Sequence, residues 1–181
     1  MTDKEKTRAS KFMSLVLRHN PQKISISLDN NGWADTNLML EGMHKNGHKV
    51  TLEDLKEVVA TNDKQRFKFN DDFSKIRANQ GHSVAVDVEM KEATPPDILY
   101  HGTATRFLSA IKTQGLISKN RLHVHLSSDK ETAIKVGSRH GEPVVLTINT
   151  TKMQADGFVF YLSENDVWLV DAVPPEYIWQ F

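Results

Sequence analysis

Residues 66–83 read RFKFNDDFSKIRANQGHS. Two short alternating runs, Arg66–Phe69 and Lys75–Ala78, flank Asn70-Asp71-Asp72. Alternation on both sides of turn-forming residues is the pattern of a β-hairpin. Upstream, residues 7–19 place Ala9, Phe12, Met13, Val16 and Leu17 at helical spacing, with Arg8, Lys11 and Arg18 on the other side. Asn20-Pro21 ends that helix, because a residue before proline avoids the α region. Asn30-Asn31-Gly32 reads as a turn. Residues 36–45 and 51–60 read as two more helices separated by Gly47, the second opened by Thr51 with Asp54 in its first turn. Three short helices followed by a hairpin predict a winged-helix module over residues 1–82. That layout often binds nucleic acid, but a fold does not fix a function.

Downstream the pattern changes. Residues 83–97 hold Val/Ala alternation, then acids, then Thr94-Pro95-Pro96, and read as an inter-domain connection. In residues 98–181, ILYHGT reads as a strand end, 105–115 as a helix closed by Gly115, and HVHLS as a strand. Residues 129–136 read as a helix, and PVVLTIN, FVFYLS and VWLV as strands. Many short strands with two helices predict a second, α+β domain.

The bulk numbers exclude several classes. The chain has 181 residues, 39% of them hydrophobic, enough for one large domain or two small ones. Its 23 basic and 23 acidic side chains cancel, so a polyanion site must be a local patch. The absence of cysteine excludes disulfides, thiolate metal sites and a cysteine nucleophile, and it fits a reducing cytosol. The charged start MTDKEKTRASK lacks the apolar core of a signal peptide. No run approaches the about 18 apolar residues of a membrane span. There is no GxxxxGK[ST], GxGxxG, HExxH or GxSxG.

Five features carry chemistry. LVLRHNP at 15–21 sets Arg18 and His19 at a helix end; cations there complement the macrodipole, or they grip an anion. In HVHLS, His123 and His125 fall on one strand face, a pair that could bind zinc but lacks a third ligand at familiar spacing. YHGT at 100–103 is either a strand-to-helix turn or a site where a ligand approaches the Gly102 backbone. VGSRHG at 136–141 is either a solvated loop or a flexible turn whose Arg139 fork matches phosphate oxygens. Finally, Arg18, Arg66, Arg77 and Arg139 each sit near an element end, where separate arginines can converge on one anion.

Together LRHNP, DNNGW, KQRF, IRANQGHS, LYHGT, RLHVHLS, VGSRHG, the DGFVFY–NDVWL pair and VPPEYI stand in the order seen in the tRNA 2′-phosphotransferases. The chain resembles that family from about residue 8 to 179. The resemblance implies an N-terminal winged-helix RNA lobe and a C-terminal lobe of ADP-ribosyltransferase fold. It implies removal of an internal, splice-junction-like 2′-phosphate from RNA with consumption of NAD+. In the first step the 2′-phosphate attacks the anomeric carbon of the nicotinamide ribose and nicotinamide leaves. In the second, the ribose 2″-hydroxyl attacks phosphorus, giving 2′-hydroxyl RNA and ADP-ribose 1″,2″-cyclic phosphate. The family's catalytic residues match Arg18, His19, Arg66 and Arg139. Its NAD+ site matches His101, Gly102, Thr103, Arg121, His125, Ser127 and Gly137. Val167 stands where many ADP-ribosyltransferases carry a catalytic glutamate, and that loss is normal in this family.

The residue types suit this chemistry. A phosphate monoester carries a charge of about −1.5 to −2 near neutrality and needs holding rather than deprotonation. A carboxylate would repel it, whereas guanidinium groups from both lobes hold it and steady the charge that builds on phosphorus. A histidine titrating near neutrality could also exchange a proton with a ribose oxygen. A monomer acting in the cytoplasm on 2′-phosphorylated RNA and NAD+, with no metal and no membrane, is the expectation. The alternatives are an ADP-ribosyltransferase acting on a nucleic-acid terminal phosphate or a protein, a non-catalytic nucleic-acid binder, and a zinc hydrolase built on the His-x-His strand.

Overall fold

The hairpin forms as the pattern predicts. In this computed structural model, which describes residues 1–87 and 90–179, β2 (Phe67–Phe69) pairs antiparallel with β3 (Lys75–Ala78). Asn70 organises the turn: its side-chain oxygen accepts from the Lys75 amide at 2.8 Å, and its backbone amide donates to the Lys75 carbonyl at 3.1 Å. Asp72 accepts from the Ser74 amide at 3.0 Å. This is the local bonding that makes Asn and Asp turn residues.

Ahead of the hairpin lie α1 (Asp3–Arg18), β1 (Ala34–Asp35), α2 (Thr36–Lys45) and α3 (Leu52–Ala60). β1 adds to the hairpin through β3, giving the sheet order β1-β3-β2. The first helix starts four residues earlier than its apolar pattern, because Thr2 and Glu5 form a capping box that holds a polar first turn. It ends at Arg18, where the single turn Pro21–Ile24 takes over. Thr51 and Asp54 form the second capping box, at α3. The three helices bury Met13, Leu17, Met39, Met43 and Leu55 with Phe67 and Ile76 of the hairpin. Each such side chain contributes about 1.5–3 kcal/mol of transfer free energy.

Contacts divide the chain into two compact units, Met1–Glu89 and Met90–Phe181. Of the expected connection 83–97, residues 88 and 89 lie outside the described residues, as do 180 and 181 at the end of the expected second domain.

The second unit begins with β4 (Lys91–Glu92) and β5 (Ile98–Ala104). The expected 105–115 helix is a 3-10 turn at Thr105–Phe107 followed by α4 (Leu108–Gln114). Gly115 does close it, at φ +70°, where a Cβ would stand 2.1 Å from the Val173 carbonyl oxygen. Then come β6 (Leu116–Ile117), β7 (Val124–Leu126), α5 (Lys130–Gly137), β8 (Pro143–Asn149) and α6 (Thr150–Ala155). The last four strands are β9 (Tyr161–Leu162), β10 (Trp168–Val170), β11 (Ala172–Val173) and β12 (Ile178–Trp179). One sheet runs β4-β9-β10-β7 and another β12-β8-β5. They meet at one antiparallel bridge, where Tyr100 and Ser127 exchange backbone hydrogen bonds of 2.8 Å each way. Leu99, Leu126, Leu146, Ile148, Phe160 and Val170 fill the core. The molecule is thus of mixed α+β class. Among the described residues no helix is long and apolar enough to cross a membrane.

Candidate active site

Each unit gathers its own group of candidate residues. In the first, the end of α1 meets the segment that follows β3. The Arg18 carbonyl accepts from the Ser83 amide at 2.9 Å and from the Val84 amide at 3.4 Å. His19 Nδ1 and Ser83 Oγ are 2.9 Å apart. Gly81, at φ +86°, brings its bare Cα against the Arg18 guanidinium; a Cβ there would lie 3.5 Å from Cζ. Arg18 is only 8% exposed, and its guanidinium stands 6.0 Å from the Phe67 ring centre. Complementing a helix dipole does not require a cation to be buried this far. This one is enclosed by the hairpin and by the Asn79–Ser83 segment.

Arg66 borders the same corner. Its carbonyl accepts from the Asn79 amide at 2.8 Å, and Asn62 Oδ1 accepts from its amide at 3.2 Å. Its side chain lines a groove with Ser10, Lys11, Ser14 and Asn62. Arg77 goes elsewhere. It is buried, donates to the Asn31 carbonyl at 3.1 Å, and stacks 4.5 Å from the Trp33 ring centre, so it fastens the DNNGW turn to β3.

His82 completes the group in the first unit. It is 2% exposed, and burial, then the charges of Arg18, His19 and Arg77, hold its pKa down at about 4. It is therefore a neutral imidazole at physiological pH. Its Nε2, with Asn79 Oδ1 and Gln80 Oε1, is buried with no hydrogen-bond partner among the described residues. Buried polar atoms are normally paired, so three such atoms in one short segment mark it as more than a connector. Sequence reasoning named none of Asn79, Gln80, Gly81, His82 or Ser83 as site residues. The available signal was IRANQGHS itself, polar and glycine-punctuated just past a strand.

The second unit builds its own group around β5, β7 and α5. His101 Nδ1 lies 2.9 Å from the His125 carbonyl, which can only accept, so Nδ1 carries the proton and Nε2 the lone pair. Burial pushes the His101 pKa down; its bond to the His125 carbonyl offsets this only in part. Arg121 Nη1 donates to His125 Nδ1 at 3.0 Å, which puts the neutral His125 proton on Nε2. Desolvation, and then the like charge of Arg139, lower the Arg121 pKa. Two guanidinium groups that feel each other make a field that favours an anion. Ser127 enters this group through its bridge to Tyr100, the residue before His101.

Gly102 and Gly137 shape the scaffold. A Cβ on Gly102 would stand 1.7 Å from the Ala133 carbonyl oxygen, and one on Gly137 would stand 2.5 Å from the Thr103 carbonyl oxygen. What comes close to the Gly102 backbone is α5, which lies directly on β5. Asp129 caps α5 by accepting from the Thr132 amide at 2.7 Å, and Arg139 follows in a tight turn whose amide donates to the Val136 carbonyl at 3.3 Å. His123 stands apart from His125's partners: its Nε2 is 3.7 Å from Asp171 and its ring packs edge-on to Tyr161. Among the described residues no three His, Cys, Asp or Glu side chains cluster as metal ligands do. Val167 sits in the β9–β10 turn, where its amide donates to Ser163 Oγ at 3.0 Å.

Comparison with known proteins agrees with these motifs. Residues 4–172 match the model of a family described as RNA 2'-phosphotransferase, Tpt1 / KptA family. A probable RNA 2'-phosphotransferase of Flavobacterium johnsoniae is 55% identical over 169 residues, covering 93% of each chain. Another from Hahella chejuensis is 54% identical over 97% of this chain and 95% of the relative. A third, from Acaryochloris marina, is 53% identical over 97% of each chain. Matches of this identity and span leave one conclusion: the chain belongs to the Tpt1/KptA family of RNA 2'-phosphotransferases.

Proposed function

We propose that this protein removes an internal 2′-phosphate from RNA by transferring it to NAD+, releasing nicotinamide, 2′-hydroxyl RNA and ADP-ribose 1″,2″-cyclic phosphate. The observation that supports this most strongly is the enclosure of Arg18 by the Asn79–Ser83 segment, in a chain whose match to the family spans residues 4–172. The order α1-β1-α2-α3-β2-β3 supports reading the first unit as a winged-helix lobe for RNA. Two small sheets meeting at β5 and β7 support reading the second as an ADP-ribosyltransferase-like lobe for NAD+.

NAD+ supplies an electrophilic anomeric carbon with nicotinamide as leaving group. The residues of the second unit fit it. The lone pair on His101 Nε2 is an acceptor for a ribose hydroxyl, and the Arg121 guanidinium suits a diphosphate. Thr103, His125, Ser127 and the backbones of Gly102 and Gly137 belong to the same β5–β7–α5 framework. Arg18, His19, Arg66 and Arg139 act on the 2′-phosphate. They hold its negative oxygens in line with the anomeric carbon, then neutralise the charge that grows on phosphorus when the 2″-hydroxyl attacks. Arg18 suits this because it is already desolvated, which strengthens its attraction for an anion.

The test is incubation of a 2′-phosphorylated oligoribonucleotide with the protein and NAD+. A stable ADP-ribosyl adduct as the end product would instead identify an ADP-ribosyltransferase. RNA binding without nicotinamide release would identify a binder.

A further inference from the structure

Ser83 touches both members of the Arg18–His19 pair. Its amide donates to the Arg18 carbonyl at 2.9 Å, and its hydroxyl lies 2.9 Å from His19 Nδ1. The pair spans 64 residues of sequence, so the contact is a feature of the folded unit rather than of a local turn. The Val84 amide reinforces it on the same carbonyl. Two backbone anchors therefore fix where the Ser83 hydroxyl stands relative to the His19 ring.

We propose that Ser83 is a positioning residue for His19: its hydroxyl donates to Nδ1 and so keeps the proton of the neutral ring on Nε2. The argument rests on the reading that His19 meets the 2′-phosphate. A phosphate dianion offers only acceptors, so the nitrogen that faces it must carry a proton. With Nδ1 facing Ser83, Nε2 is on that reading the nitrogen that meets the phosphate. With Nε2 protonated on a neutral ring, Nδ1 holds a lone pair, and the hydroxyl must be the donor. Once the ring is protonated, the same hydroxyl turns and accepts. Ser83 thus holds the ring orientation through both protonation states without being a proton donor or acceptor for the reaction.

The ring 15N chemical shifts of His19, measured on the protein alone at a pH where its imidazole is neutral, report the tautomer directly. Wild type is expected to show protonated Nε2 and unprotonated Nδ1, and Ser83→Ala a mixture of tautomers. Protonated Nδ1 in wild type, or unchanged shifts in Ser83→Ala, overturns the proposal. In turnover, Ser83→Ala is expected to lower kcat about 10- to 100-fold, as loss of a partner that orients a histidine does elsewhere. KM for RNA should stay near wild type, and Ser83→Thr should restore most of the rate. In a His19→Ala background the further Ser83→Ala change should cost nothing. An equal loss in that background means Ser83 acts by another route. Full turnover by His19→Ala with a normal wild-type tautomer would sink the functional reading of His19 and leave the tautomer assignment standing.

Discussion

The two units hold their candidate residues by different physical means. The first sequesters charge: Arg18 is enclosed beside Gly81, and His82 is buried and neutral in a field of cations. The second leaves Arg139 exposed and concentrates its precision in the backbone, with α5 pressed onto β5 through Gly102 and Gly137. A buried cation already stripped of water suits a group that must grip a dianion. A rigid backbone seat suits a large ligand met along its length.

The comparison breaks first at the glycines. Gly102→Ala should be the most damaging single methyl in the chain, because backbone on α5 must retreat. The expected cost is on the order of 3 kcal/mol of stability, read by thermal denaturation, with activity lost. Gly81→Ala meets only ordinary contact with the Arg18 guanidinium and suffers its φ of +86° instead, about 1–2 kcal/mol. If Gly102→Ala proves the milder of the two, the contrast between a backbone seat and a charge pocket is wrong.

The arginines sharpen it next. Transesterification at phosphorus builds more charge there than expulsion of nicotinamide does. Arg66→Ala and Arg139→Ala should therefore slow the second step more than the first, by about 100-fold. A 2′-phospho-ADP-ribosylated oligonucleotide should accumulate and be visible by gel shift or mass. Both variants failing to accumulate it would refute this ordering.

Acid should act on the first unit through His82. Its folded pKa of about 4 lies below the ordinary histidine value of 6.5, so the folded state binds fewer protons than the unfolded one between those values. The stability it confers is complete above pH 6.5 and is lost as pH falls toward 4, on the order of 3 kcal/mol in all. His82→Gln should flatten this part of the stability curve, measured by chemical denaturation at several pH values. An unchanged slope would mean that His82 is not the titrating group.

The smallest effects separate cap from site. Thr51→Ala and Asp129→Ala each remove one N-cap acceptor, worth about 1 kcal/mol. Thr51→Ala should lower Tm and leave kcat unchanged. Asp129→Ala should lower both, because α5 carries Gly137 and leads into Arg139.

Strong local periodicity made part of the fold legible. The helix at 36–45, the hairpin and the Gly115 stop could all be read directly, since each depends on neighbours within a few residues. The early start of α1 at Asp3 depends on Thr2 and Glu5, a cap that an apolar pattern does not register. The six-residue α6 and two-residue strands such as β1, β4, β6, β11 and β12 are too short to have a period. The site divides the same way. Arg18 and His19 stood out as charges at a helix end, but the burial of Arg18 beside Gly81 and the contact of His19 with Ser83, 64 residues away, appear only in the fold. Gly102 suggested close approach, and only the fold reveals that α5 is what approaches.

The central claim is transfer of an RNA 2′-phosphate to NAD+. Its most direct test is mass analysis after incubating the protein with a 2′-phosphorylated oligoribonucleotide and NAD+. The account predicts an oligonucleotide lighter by one phosphate, with equimolar nicotinamide and ADP-ribose 1″,2″-cyclic phosphate. An unchanged oligonucleotide, or phosphate loss without nicotinamide release, would contradict it.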